Sequence, residues 1–290
     1  MKKLFSILFI LTITNINLQS QEQWNWQPID TAYLICQYEF LSPSIIVPHQ
    51  QDDMRLEIGK KLSKFYSRIT FEVDSLWTTA EGRQVYRSRA DEIFRRHSKT
   101  QSEEEGLRVL SELPSRKSDC IVYKNYPIGE MYVQDASGND YFDYTDEFLP
   151  QNWQIHPDTM THLGYHCQKA TCTWRGRDYE AWFTSEIPVN DGPMKFFGLP
   201  GLIVKVADID NAYIFELKGI EAKQKPIYLN TLLNKTDHNY KRTNRCELMQ
   251  RKSRSFKNMI RALKRDMARL GKSADDLNED MYDVMERDCK

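Results

Sequence analysis

The 290-residue sequence lacks the local patterns that mark familiar enzymes. GxSxG, HExxH and the Walker pattern are all absent, so no short motif sets a nucleophile beside a base or a glycine cradle around phosphates. No CxxC pair and no helical HxxxH occurs, which removes the usual ligand spacings for zinc. Charge of one sign is not in excess: 40 basic residues face 41 acidic ones, for a net charge of −1. That balance points to no particular partner. Beyond the N-terminus no apolar run is long enough to cross a bilayer, and no repeat or low-complexity linker divides the chain.

What is present begins with MKKLFSILFILTITNINLQSQ. Lys2 and Lys3, an apolar stretch from Leu4 to about Ile13, and small Ser20 before a polar run read as a secretory signal peptide over 1–20. The expectation is export through the Sec pathway to the periplasm or beyond, with no transmembrane span once the leader is removed. Loss of two lysines and no acid takes the net charge to −3. No Cys lies near the cleavage point, so lipid attachment there is not expected, and export makes nucleic acid an unexpected partner. Six cysteines in an exported chain allow disulfides. Cys167 and Cys172, five apart in an extended strand, are too distant and on opposite faces to bond each other. A bridge between Cys246 and Cys289, which flank the helical tail, is the expected pairing.

Thr31 to Phe40 reads as a strand. The charged stretches Asp53 to Ser67 and Asp74 to Leu113 lack β-rich alternation and suggest helices broken near Ile69 to Phe71 and at Gly82. From Asp119 a strand and a hairpin around Ala136-Ser137-Gly138-Asn139 follow. Gly164 to Trp174 then pairs with Asp178 to Thr184, and Leu202 to Val206 with Ala212 to Lys218, all by short connections that imply antiparallel neighbours. Tyr213, Phe215 and Leu217 face one way, Glu216 and Lys218 the other. From Arg251 the period turns helical, with Phe256, Ile260, Leu263, Met267 and Leu270 on one stripe. Leu277, Met281 and Val284 repeat it. Residues 241–272 carry a net charge of +10 and residues 273–290 one of −5, so the tail can fold back on itself. The fold class is therefore α+β: a twisted antiparallel sheet within a single domain over 21–240, a helical insertion at about 53–114, and a C-terminal helical hairpin over 241–290.

Three clusters invite chemistry. In FFGLPGLIVKV, Leu199-Pro200-Gly201-Leu202 has the composition of a type II turn, yet Phe196, Phe197, Leu199, Leu202 and Ile203 make it apolar where turns are normally polar. Either it docks a partner, or it is buried, as large apolar side chains generally are. Arg175-Gly176-Arg177 is either a guanidinium grip for an anion or a hairpin tip. Met160, His162, His166, Cys167 and Cys172 are soft and imidazole ligand types, but His162 and His166 lie about 13 Å apart in a continuous strand.

Taken together, Gly164 to Glu221 resembles the GLPGLI family of exported Bacteroidota proteins. The matching pieces are Gly164-Tyr165, Cys167 to Ala170, Arg175-Gly176-Arg177, Ala181-Trp182, Ile187-Pro188, Gly192-Pro193 and Gly198 to Ile203. Upstream, Leu56 to Gly59, Ser63 to Ser67 and Tyr123 to Tyr126 also look like the family. The resemblance implies export and a sheet-rich fold and no established catalytic activity. Gly192, Pro193, Gly198, Pro200 and Gly201 are the structural motif positions; Arg175, Arg177, Phe197, Leu199 and Leu202 are the binding candidates. The expectation is an envelope binding or accessory protein that holds an envelope protein or an apolar ligand against the concave side of its sheet, without cofactor or metal. The alternatives are a periplasmic hydrolase with dispersed catalytic residues and a metal-handling protein built on Met160, His162 or His166 with a free thiol.

Overall fold

A computed structural model describes residues 28–43, 49–229, 240–269, 273, 277 and 284–289. The leader lies outside them, as does most of the second helix expected through Leu277, Met281 and Val284.

Side-chain alternation builds the first half of the sheet. Strand β1 (Pro28–Pro43) buries Cys36 and Tyr38, and β2 (His49–Gly59) buries Met54, Leu56 and Ile58. With β3 (Ser63–Ser67), β2 occupies the stretch expected to be helical from Asp53. The reason is the period: Met54, Leu56 and Ile58 recur every second residue, and the charges between them take the other face. All five residues of β3 are buried because both of its faces are covered. Phe65 points into the main core, while Tyr66 packs under Phe71 of α1 (Arg68–Thr78).

The helical insertion thus starts at Arg68. It continues as α2 (Ala80–His97) and α3 (Glu103–Leu110), and each helix begins at a hydroxyl cap. Ser67 accepts from the Thr70 N–H, Thr79 from Gly82 and Ser102 from Glu105. The break expected at Gly82 falls at its cap Thr79 instead.

Strands β4 (Ile121–Lys124), β5 (Glu130–Ser137), β6 (Asp140–Glu147), β7 (Gln154–His162), β8 (Tyr165–Trp174), β9 (Arg177–Thr184), β10 (Leu202–Asp208), β11 (Ile214–Glu221), β12 (Lys225–Tyr228) and β13 (Lys241–Arg242) complete the sheet. Its order is β13-β6-β5-β4-β3-β2-β1-β11-β10-β9-β8-β7, with β12 beside β1. Every pairing among these strands is antiparallel except that of β13 with β6. Leu163 and Gly164, with φ of 50° and 85°, form a two-residue turn. His162 and His166 therefore fall on the two paired strands of a hairpin and not on one continuous strand.

The sheet curls. In the strand order β6 and β8 stand nine places apart, on the order of 40 Å in a flat sheet. Yet the Arg175 guanidinium, at the tip of β8, lies 2.9 Å from the Asp146 carboxylate of β6. The two ends of the sheet thus approach each other, and one hydrophobic core joins residues of β1 to β6 with those of β8 to β11. Helix α4 (Arg245–Arg269) lies along β5 and β6. It buries Leu248, Met249 and Ile260, and leaves Leu263 of the expected stripe exposed.

Candidate functional site

Inside the curl runs the connection from β9 to β10, residues 185–201, and this is where the apolar turn sits. An irregular segment can be buried only if its backbone polar groups find partners. Here side chains supply them. The Lys124 ammonium donates to the carbonyls of Gly192 and Phe196 and pairs with Asp191. The Gln151 amide donates to the Lys195 carbonyl and accepts the Phe197 N–H; the Trp153 indole donates to the Phe197 carbonyl. Phe196 packs among Tyr179, Trp174 and Trp153, and Phe197 stacks on Phe148 at 4.5 Å.

Leu199 is 1% exposed and Leu202 is fully buried, as is Phe196. This corrects the docking-face alternative for Phe197, Leu199 and Leu202: the turn is greasy because it plugs the protein's own core. The turn is also tighter than the expected type II form. The Gly201 N–H donates to the Leu199 carbonyl at 2.8 Å, closing a three-residue turn on Pro200. Gly201 has φ of 153°, and a Cβ there would lie 2.1 Å from the Thr184 carbonyl oxygen. At Gly198, φ is 102° and a Cβ would lie 2.5 Å from Pro150. Gly192 and Pro193 are buried in the same segment.

Arg175 and Arg177 do grip carboxylates and carbonyls, but those of their own chain. Arg177 pairs with buried Asp208 at 2.7 Å and donates to the Val284 carbonyl. Tyr179 donates to the Met285 carbonyl, and the Arg287 N–H to the Arg175 carbonyl at 2.7 Å. Residues 284–289 are thereby strapped across the tip of β8 and β9. The strap is tied again by the Cys246–Cys289 disulfide, the pairing expected from sequence. Its Glu286 is buried and bonds Lys195 at 2.6 Å and Arg245 at 2.9 Å. Lys195 also reaches Asp146 and the Tyr144 hydroxyl. Burial would lower the Lys195 pKa, but Glu286, Tyr144 and Asp146 outweigh it and hold the ammonium well above the usual lysine range. Burial would raise Asp146, but Lys195 and Arg175 keep it below the usual carboxylate range. Lys195 and Asp146 therefore both stay charged across neutral pH.

Between the strap, α4 and the concave sheet lies a cavity of about 220 Å³. Its floor is aromatic: Phe40 and Phe215 stack at 4.3 Å, and Phe65 meets Phe215 edge-on. Methionines from four separate places line it: Met54 of β2, Met194 of the plug, Met249 of α4 and Met285 of the strap. Thioether chains of this kind adapt to irregular shapes. The polar side is formed by Asp52, Ser118, Lys117 and the Asp135–Lys252 ion pair. Asp52 accepts from the Ser67 hydroxyl and the Ser118 and Asp53 N–H groups; burial outweighs these bonds and raises its pKa. Cys120 in the wall is a free thiol whose pKa burial pushes up, which keeps it protonated and unreactive. Among the described residues no histidine lines the cavity.

The residues considered for metal diverge. The His162 ring bonds the Leu217 carbonyl at 2.7 Å, and Glu186 accepts the His166 N–H. Met160 sits opposite Cys167. Among the described residues no three His, Cys, Asp or Glu side chains gather as an ion would require. Cys167 and Cys172 are free and buried, and burial raises the Cys172 pKa to about 12. Sequence reasoning missed the cavity, because its lining comes from most of the chain. The alternation of Met54 with Leu56 and Ile58 was the available signal.

Residues 173–205, which contain Arg175 to Arg177 and the Leu-Pro-Gly turn, match a family of proteins of unknown function termed Porph_ging. No curated protein matches the chain. Among solved structures the chain is similar to PNGF-II in its P21 form, at 13% identity and a TM-score of 0.47, and in its C2 form, at 14% and 0.45. The likeness covers 78% of this chain and 34% and 33% of those, so the chain spans about a third of the length of the structures it resembles.

Proposed function

We propose that this is an exported, non-catalytic binding protein that holds a small apolar molecule in the cavity beneath its C-terminal strap. One observation carries the reading: a concave face otherwise filled by the plug leaves an aromatic and methionine-lined space of about 220 Å³. Ligand pockets are mostly apolar with a few polar groups that orient the guest, and here Asp52, Ser118 and Lys117 stand on one side. The volume lies just under the ~300 Å³ lower end of common pockets, which suits a guest of one to three rings or a short chain. Export rests on the leader pattern. Membership of the GLPGLI family belongs to the same reading, supported by the matched segment, which spans the turn.

The test is titration with 1-aminoanthracene, a neutral fluorophore whose emission rises in apolar surroundings. The expected result is saturable binding at one site, weakened at least about tenfold by Met54→Trp, which fills the cavity. A melting curve of that variant within a few degrees of the parent secures the comparison. Unsaturable emission, or unchanged affinity in the filled variant, would overturn the reading.

A further inference from the structure

A second site lies at the far side of the plug, where Gly59 to Ser63, Lys124-Asn125, Asn190-Asp191 and Phe197 enclose a space of about 160 Å³. Two stretches that reach it, Leu56 to Gly59 and Tyr123 to Tyr126, stood out in the sequence without a role, and neither lines the cavity under the strap; of Ser63 to Ser67 that cavity uses Phe65. Ser63 is 97% buried, since its exposure is 3%, and it lines this space, yet its hydroxyl has no hydrogen-bond partner. A buried hydroxyl left unpaired is costly and calls for an explanation. Its surroundings name the missing partner. Lys60 and Lys61 flank it from the β2–β3 loop, and Lys124 stands directly across from it in the β3–β4 register. Among the described lining residues the carboxylate is Asp191, which pairs with Lys124, while Asp30 beside Gly59 is taken up by the loop's own N–H groups.

The loop that carries the lysines is held in place before any ligand arrives. Both the Lys61 and Leu62 N–H groups donate to Asp30, at 2.7 and 3.1 Å, and the Asn125 amide donates to the Lys61 carbonyl at 2.6 Å. Gly59 has no side chain because a Cβ would fall 2.3 Å from the Asp30 carboxylate. Asn190 accepts the Gly198 N–H through its oxygen, which leaves its NH₂ group as a further donor on the rim. A fixed loop loses little freedom on binding, so even a small ligand gains from it.

We infer that this space is a binding site for a phosphate-type oxyanion, held by Lys60, Lys61 and the Ser63 hydroxyl. The side chains that line it carry three ammonium groups and one carboxylate, and the ammonium groups match an oxyanion by charge and by hydrogen bonding. The anion accepts the Ser63 O–H and so satisfies the orphaned group.

The experiment is isothermal titration of the full chain with inorganic phosphate against potassium chloride of equal ionic strength, repeated with glycerol phosphate. The expected result is saturable binding of phosphate and none of chloride, with affinity reduced at least about fivefold by Ser63→Ala and at least about tenfold by Lys60→Gln with Lys61→Gln. Both lysines are exposed, so that variant keeps its melting temperature in chloride. Equal or tighter binding of glycerol phosphate assigns the site to phosphate monoesters, and weaker binding assigns it to the free ion. Heat that tracks ionic strength alone, or binding untouched by both variants, would overturn the inference. Because Met54→Trp lies elsewhere, its effect on aminoanthracene and the effect of these variants on phosphate fail or succeed separately.

Discussion

Gly201 shows how one missing methyl group shapes the centre of the molecule. A Cβ there would sit 2.1 Å from a backbone oxygen, which cannot swing aside as a side chain can. Gly201→Ala is expected to cost more than about 2 kcal/mol in denaturant unfolding, from strain and overpacking together. A loss below about 0.5 kcal/mol would show that the turn is free to relax. Lys64 makes a different prediction at the same scale. It is buried against Tyr66 and Tyr123, and desolvation lowers its pKa from 10.5 to about 7, against the pull of Glu57. Between those values the unfolded chain binds more protons than the folded one, so stability rises as pH increases from about 7 to about 10.5, by at most ~1.4 kcal/mol per unit. Thermal melting across that window should show the rise in the parent and a flatter profile in Lys64→Met. Identical slopes in the two would contradict the assignment.

Among the elements, the strap depends on two ties of different chemistry. The Cys246–Cys289 bridge closes a loop with a sequence separation of 43. Replacing both cysteines by Ser is expected to lower stability by about 2–4 kcal/mol and to weaken aminoanthracene binding, read by urea unfolding and titration. Lys195→Met leaves Asp146 and Glu286 buried without their ammonium, at an expected cost of about 3–5 kcal/mol in the same unfolding experiment. The strands after Asp119 and the α4 helix were legible because turn chemistry and period are local signals. The β2 and β3 strands were not, since charges spaced between Met54, Leu56 and Ile58 masked the period of two. Nor was the role of Arg175 and Arg177: their partners Asp146, Asp208 and Glu286 lie 29, 31 and 111 residues away from the arginine concerned. Long-range partnership of that kind leaves no mark in a short window. The Cys246–Cys289 pairing was readable because only those two cysteines flank the helical tail.

For the molecule as a whole, the curl of the sheet decides what is available for function. It brings β6 to the tip of β8, buries the apolar turn that looked like a docking face, and leaves the cavity under the strap. Burial of Leu199 and Leu202 moves the expected binding role from the turn to the space lined by Phe40, Phe65 and Phe215. The most direct measurement is native mass spectrometry of the protein purified under non-denaturing conditions from its own cells. The account predicts one small, organic-extractable adduct at one per chain, present in the parent and missing from Met54→Trp. A parent free of adduct that also fails to take up aminoanthracene, or an adduct retained by the filled variant, would contradict it.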